Sequence, residues 1–404
     1  MSTSLMYHSQ GIQGFQHQSF VFEAGSIIER IERKALGCPF CHSAEVNAYD
    51  IRRRRVRGVP YGTMAVFFEF TVHRVYCRKC RRVGVETLPF LSRPDARITS
   101  AMERTLLELR PCMSIKALSD FYGIDWRVIK NCEKAYLSRK YKTIKMKHVK
   151  VIGIDEISVG RKNGKPVYIT VVRDLESGAV LHVGDGKGGD ALKKFLRRLR
   201  TSKAKIEVVA MDMGKAFIAW VKAYLKEATI VFDHFHVIKL MNDKLDKIRR
   251  AACEKLDQEK RELLKNSRFL FLRNVEDLDT DASATLKKIK SVCEELANAH
   301  MMKEDLRAIY RNASSATAAE AALKNWCAMA KRLNSDHLAA MAKTIESHLA
   351  GIVAFWNHDK ISNAAMEGFN NKIRWLIKQA YGYRDKEYFH WKIFDLPNLK
   401  KPEL

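Results

Sequence analysis

The chain has 404 residues, 47% of them hydrophobic and 29% charged, the balance of a folded protein with sizeable cores rather than of a disordered one. Lys and Arg number 72 against 46 Asp and Glu, and a net charge of +26 is more than solubility asks for, so a polyanionic partner is expected. The sequence has no run of 18 uncharged apolar residues and no signal-peptide pattern, which argues against a membrane and for a cytoplasmic protein that meets nucleic acid.

Residues 1–35 read as an N-terminal extension. From 36 to 92, short strands and turns surround Cys38-Pro-Phe-Cys41 and, after 35 intervening residues, Cys77-Arg-Lys-Cys80. Two such knuckles supply the four thiolates of a tetrahedral structural Zn²⁺ site, and strands between them, including the alternating run Ala65 to Tyr76, suit a zinc ribbon. The competing reading is four unrelated buried cysteines. His42 and His73 stand nearby as substitute ligands and are ranked below the thiolates. Arg52, Arg53, Arg54, Arg55 and Arg57 form a dense cationic run within the ribbon, read as phosphate contacts, or else as one solvated face of a hairpin.

Residues 93–147 show helical spacing in three pieces. One helix carrying Ile115, Leu118 and Phe121 on a single face stops at Gly123, and the next carries Trp126, Ile129 and basic residues. That is the spacing of a helix-turn-helix, with Trp126, Arg127 and Lys130 expected on DNA, although any helical hairpin shares the pattern.

From 148 onward the apolar runs VKVIGID, PVYITVVRD and GAVLHVGDG are followed by a helix near 190–200, the strand IEVVAMD, a helix near 214–227 and the strand TIVFD. Three consecutive strands and then helix–strand alternation predict a mixed sheet with helices packed on it. About 240–350 reads as an all-helical insertion, and a last helix is expected to begin near Ser362. The fold class is therefore multidomain, combining α+β and α/β parts.

Asp155 and Asp212 each end an apolar strand in this reading, and Glu367 lies in SNAAMEGFNNKIRWLIKQAYGYR. A carboxylate at a buried strand end needs a cation or a metal beside it. Two such aspartates and one helical glutamate suit a pair of Mg²⁺ or Mn²⁺ ions for in-line phosphoryl transfer. The alternative is three capping or surface carboxylates. Glu367, Asn370, Asn371, Arg374 and Lys378 recur at three- and four-residue steps, so Asn371, Arg374 and Lys378 are expected to hold phosphates on the face that carries the glutamate. Asp233 and His236, in Asp233-His234-Phe235-His236, are read either as a helix N-cap with packing histidines or as groups beside the metal site.

The stretches CPFC, DHFHVIKLMNDKLDKIRR and above all SNAAMEGFNNKIR followed by AYGYR resemble bacterial insertion-sequence transposases of the Asp-Asp-Glu kind. That family has an N-terminal zinc-binding segment, a helix-turn-helix and a ribonuclease H-like catalytic domain. The resemblance implies that Asp155 and Asp212 are the catalytic aspartates and Glu367 the glutamate. Asp233 to His236 match an Asp-x-Phe-His stretch of many relatives, and the 154 residues between Asp212 and Glu367 would hold a helical insertion. It further implies metal-dependent cleavage and strand transfer on double-stranded DNA, both transposon ends and target, by a homodimer on paired ends. MDMGKAF is leaner than the family's usual context for the second aspartate, and Glu156 and Asp185 are neighbouring candidates of lower rank. The rivals are a non-enzymatic DNA-binding regulator and a structure-specific nuclease of the same fold, which would cut without joining.

Overall fold

A computed structural model describes residues 5–398 apart from 266, 359 and 362, so Ser362 lies outside the described residues. Contacts divide the chain into two compact units that part between Lys142 and Thr143.

The first unit opens with a short helix, α1 (Leu5–Gln10), and is built on a sheet of β1 (Phe15–Glu23), β2 (Ser26–Arg33), β3 (Val46–Arg57), β4 (Ala65–Cys77) and β5 (Val83–Val85). The order is β1-β2-β4-β3, with β5 also on β4. Strand β4 alternates as its sequence demands, burying Val66, Phe68, Phe70 and Val72 on one face. Phe15, Phe70 and Phe90 meet edge to face in that core, with ring centroids 5.2–5.8 Å apart. One expectation is corrected here. Residues 15–33 are no extension apart from the ribbon, because β2 pairs in parallel with β4 over Ser26–Arg30 and Ile27, Ile28 and Ile31 are buried.

Three helices follow, α2 (Ser100–Leu109), α3 (Ile115–Tyr122) and α4 (Trp126–Lys140). Each has a side-chain N-cap: Thr99, Ser114 and Asp125 accept from the amides of Met102, Ala117 and Arg127. Gly123, in the left-handed conformation at φ 62°, ends α3 and turns the chain into α4. Leu118, Ile124 and Ile129 share a core with Ile98, Met102 and Leu106. Phe121 does not join it and is 73% exposed, because Ile115, Leu118 and Tyr122 already fill the inward face of so short a helix.

The second unit carries a five-stranded mixed sheet in the order β10-β9-β6-β7-β8. Its strands are β6 (Val151–Lys162), β7 (Lys165–Asp174), β8 (Val180–Asp185), β9 (Val208–Met211) and β10 (Thr229–Phe232). The first three form an antiparallel meander, while β9 and β10 run parallel to β6. Helices α5 (Lys193–Ser202) and α6 (Lys215–Tyr224) precede β9 and β10, and Phe195 and Trp220 enter the core with Ile152, Ile154, Val209 and Met211. Then come α7 (His234–Lys255), α8 (Gln258–Leu264), α9 (Arg268–Leu272), α10 (Thr280–Val292), α11 (Glu294–Asn312), α12 (Ala316–Arg332) and α13 (Asp336–Ser347). The chain returns to the sheet through α14 (Leu349–Asn357), where Gly351 lets the backbone ride on Phe232: a Cβ there would stand 2.5 Å from the ring. Helix α15 (Ala364–Gln379) lies on β6 and α16 (Lys386–Asp395) on β8. No single helix among the described residues is long and apolar enough to cross a membrane.

Candidate active site

Asp155 does not end its strand, as the apolar run suggested. Strand β6 runs on to Lys162, paired with β7, because Ser158 to Lys162 continue the antiparallel ladder past a bulge before Gly160. What stops short is the other side, where β9 pairs with β6 only over Val151–Gly153. Asp155 therefore sits just beyond the carboxyl end of β9, and Asp212 follows directly from β9 after Met211. The loop after β10 holds Asp233, whose amide bonds to Met211 O at 3.2 Å. Ligands in open α/β sheets gather in this crevice beyond the strand ends.

The bonds within it are specific. Asp155 Oδ1 accepts from the Glu156 amide at 2.8 Å and Oδ2 from Asn370 Nδ2 at 2.6 Å, while Asp212 Oδ1 accepts from the Gly214 amide at 3.0 Å. Burial raises the Asp155 carboxyl above the ordinary range, and the nearby Asp212 pushes the same way. Glu156 is raised by burial and then by Asp212. Asp233 caps α7 through the Phe235 amide, as the first of its two readings has it, and also meets His236 Nδ1 at 3.2 Å. That bond raises the His236 pKa against the effect of burial, with Asp155 and Asp212 pushing the same way.

Glu367 is exposed on α15 one turn before the buried Asn370. Three contacts fix that helix. Met366 Cγ and Asn363 Oδ1 press on Gly153, where a Cβ would lie 2.9 and 3.0 Å from them. Arg173 of β7, cross-strand from Gly153, donates to Ala365 O at 2.8 Å and stacks on Phe369 at 4.2 Å. Asn370 is the third. Among the described residues, only Cys38, Cys41, Cys77 and Cys80 bring three or more ligand atoms within 4.8 Å of one another, so Glu367 does not close on Asp155 and Asp212 to that degree. Asn371 accepts from Arg374 Nη1 at 2.6 Å, and both residues and Lys378 are exposed. The sequence signal of Arg173 is a lone cation inside the apolar run VYITVVRD, which says nothing of α15 until the helix is in place.

The oxygen-rich donors suit a hard divalent cation. A carboxylate destabilised by burial and by a second carboxylate is also what a cation would relieve.

In the first unit the sulfurs pair as Cys38–Cys80 at 3.5 Å and Cys41–Cys77 at 3.6 Å. Tetrahedral Zn²⁺ with Zn–S near 2.3 Å spaces its sulfurs about 3.8 Å apart, so the set fits. The two knuckles are alike. In each, an amide points at the first sulfur (Phe40 to Cys38, Cys80 to Cys77, both 3.4 Å), and the residue after the second cysteine turns left-handed, His42 at φ 57° and Arg81 at φ 56°. His73 is engaged elsewhere, 2.8 Å from Glu86 Oε1.

The arginine run is not one patch. Arg57 is 9% exposed, stacks on Phe67 and donates to Val66 O and Tyr122 O, because β3 enters the core at Val56. Arg54 bonds to Pro94 O and Ala96 O, and Arg55 pairs with Glu69 at 3.2 Å. Arg52 and Arg53 are exposed, as are Trp126 and Arg127; Lys130 is half-buried.

The ISL3-type family model, described as a transposase, matches residues 152–393. The chain is 27% identical over 372 residues to the transposase for insertion sequence element IS1001 of Bordetella parapertussis, covering 91% of this chain and 90% of that one. It is also 27% identical over 359 residues to the transposase for insertion sequence element IS1557 of Mycobacterium tuberculosis, covering 83% and 79%. Among solved structures, the Drosophila P element transposase strand transfer complex aligns with a TM-score of 0.40 and 9% identity, over 75% of this chain and 92% of that one.

Proposed function

The chain belongs to the ISL3 family of transposases and acts in DNA transposition, and from that premise we propose that Asp155, Asp212 and Glu367 form the site that cuts element ends and joins them to target DNA. The observation that carries this reading is the bond from Asn370 to Asp155, which fastens the helix bearing Glu367 to the strand whose aspartate shares a field with Asp212. Two Mg²⁺ or Mn²⁺ ions bound there would activate the attacking water or 3′-hydroxyl and stabilise the leaving oxygen.

The residues do the remainder. Asn370 fixes the Asp155 rotamer. Arg173, Gly153 and Asn363 set the depth of α15, and so the reach of Glu367. His236, held by Asp233, presents its ring to the carboxylate pair or to a scissile phosphate. Arg374 and Lys378 lie about two and three turns along α15 from Glu367 and grip neighbouring phosphates. The thiolates of Cys38, Cys41, Cys77 and Cys80 hold a structural Zn²⁺, and Trp126, Arg127, Lys130, Arg52 and Arg53 contact double-stranded DNA at the terminal repeat. Paired ends call for two copies of the chain.

The test is cleavage and strand transfer on a labelled duplex bearing the element's ends, with Mg²⁺ or Mn²⁺. Asp155→Ala, Asp212→Ala and Glu367→Ala should each abolish both reactions and leave end binding nearly intact. Near-normal cutting by any one variant would remove that residue from the site, and cutting without joined products would favour a nuclease.

A further inference from the structure

Helix α15 ends in a way that metal ligation and phosphate binding do not require. Tyr381 N–H bonds to Lys378 O at 3.2 Å and Gly382 N–H to Ile377 O at 2.9 Å. This is the Schellman closure, whose left-handed residue is usually glycine. Here that residue is Tyr381, at φ 51°. A bulky side chain is strained there, and packing returns nothing, since Tyr381 is 101% exposed. Six residues earlier Trp375 is 62% exposed. On the helical wheel it projects about 80° from Glu367, at the border of the stripe that carries Arg374 and Lys378. The surroundings are basic: Lys372, Arg374, Lys378, Arg384 and Lys386 fall between residues 371 and 386, against one acid, Asp385, which caps α16.

Two bare aromatic rings on cationic ground fit a ligand with flat faces and negative linkers. A paired duplex hides its base faces in the stack, so the complement is an unpaired stretch of strand. We propose that Trp375 and Tyr381 form a stacking platform for unpaired bases of the DNA strand held at the Asp155–Asp212–Glu367 site. The inference rests on the reading of that site and extends it to AYGYR, the motif segment that the carboxylates leave without a role. The rings take bases released when an end opens, and the neighbouring cations take the phosphates.

The experiment uses the full chain, with fluorescence anisotropy on a single-stranded oligonucleotide, on the matching duplex and on a duplex with an unpaired end. Trp375→Ala and Tyr381→Ala should each weaken binding to the single strand and the unpaired end by about tenfold, with duplex affinity within about twofold of the parent. Tyr381→Gly gives the sharper result: relief of the left-handed strain should raise Tm while unpaired-strand affinity falls, opposite movements that a merely structural role would not produce. Single-strand affinity unchanged in all three variants would overturn the platform. A changed oligomeric state with unchanged DNA affinity would overturn it too, marking the rings as a protein interface. If the parent binds and cuts the duplex and the variants keep its single-strand affinity, the platform alone is wrong. A parent that neither binds nor cuts DNA would bring down the reading of the site itself.

Discussion

Asn370 Nδ2 donates to Asp155 Oδ2 at 2.6 Å, joining residues 215 positions apart, and Asn370 is only 4% exposed. A bond to a charged partner contributes about 1.5–3 kcal/mol, which corresponds to about 10–100-fold in rate if the bond holds Asp155 in its reactive orientation. Asn370→Ala should therefore slow cleavage by that factor with end binding unchanged, and Asn370→Asp should slow it further by setting a like charge against Asp155. Gel shifts and cleavage rates on one duplex decide it; parallel losses in both assays would assign Asn370 to DNA contact instead.

Gly153→Ala tests the depth of α15. The new Cβ would stand 2.8 Å from Leu175 Cδ2 and 2.9 Å from Met366 Cγ, so the helix must lift or those side chains must turn. Overpacking of this kind costs about 1–3 kcal/mol. The expected outcome is a modest fall in Tm together with a larger fall in cleavage rate, since Glu367 rides on the helix that is pushed away.

The cysteine set should account for one zinc per chain. Cys38→Ser or Cys80→Ser should lower the zinc found by atomic absorption towards none and loosen the sheet of the first unit, because small metal sites draw folding free energy from the ion. Zinc content equal to the parent in both variants would show that the sulfurs hold no ion.

The arginines should separate by position. Arg52→Ala and Arg53→Ala are expected to weaken DNA binding and flatten its salt dependence, with Tm unchanged. Arg57→Ala should do the reverse, destabilising the fold by about 1–3 kcal/mol through lost stacking on Phe67 and lost carbonyl bonds, with little direct effect on DNA.

His300 of α11 predicts an acid response. It is 1% exposed, neither ring nitrogen has a hydrogen-bond partner, and burial with Lys290 and Lys303 nearby depresses its pKa to about 3. The unfolded chain takes up a proton below about pH 6.5 that the folded chain refuses, so stability falls as pH drops from there towards 3. The loss from this group is about 2 kcal/mol by pH 5. His300→Leu should remove that share, leaving the similar contribution over this range of His182, whose pKa burial lowers to about 4. Urea unfolding at pH 7.5 and 5 checks it: an equal acid loss in parent and variant would acquit His300.

What was legible in the sequence follows from how local its causes are. CxxC knuckles, the Gly123 break and the alternation of β4 are written in neighbouring residues, and the structure shows each of them. The full extent of β6 was not, because polar residues after Asp155 look like a strand end unless β7 is known to pair with them. Nor was the fate of Arg54 and Arg57. Five cations within six residues look alike until the sheet decides which face is buried, and that depends on Pro94, Ala96 and Tyr122 far along the chain. The role of Asn370 was hidden for the same reason: helical spacing placed it near Glu367, but only the packing of α15 on β6 turns it towards Asp155 rather than towards a phosphate.

The long separation of Asp155 from α15 also has a meaning during synthesis. At about 5–20 residues per second, Asn370 emerges roughly 10–40 s after Asp155, once the helices between them have been made. Until then the nascent chain can display its N-terminal fold and both aspartates, yet lacks the helix that bonds to Asp155. Products terminated before Asn370 would likewise leave Asp155 without that bond, so if α15 completes the proposed site, only chains translated past it can cut.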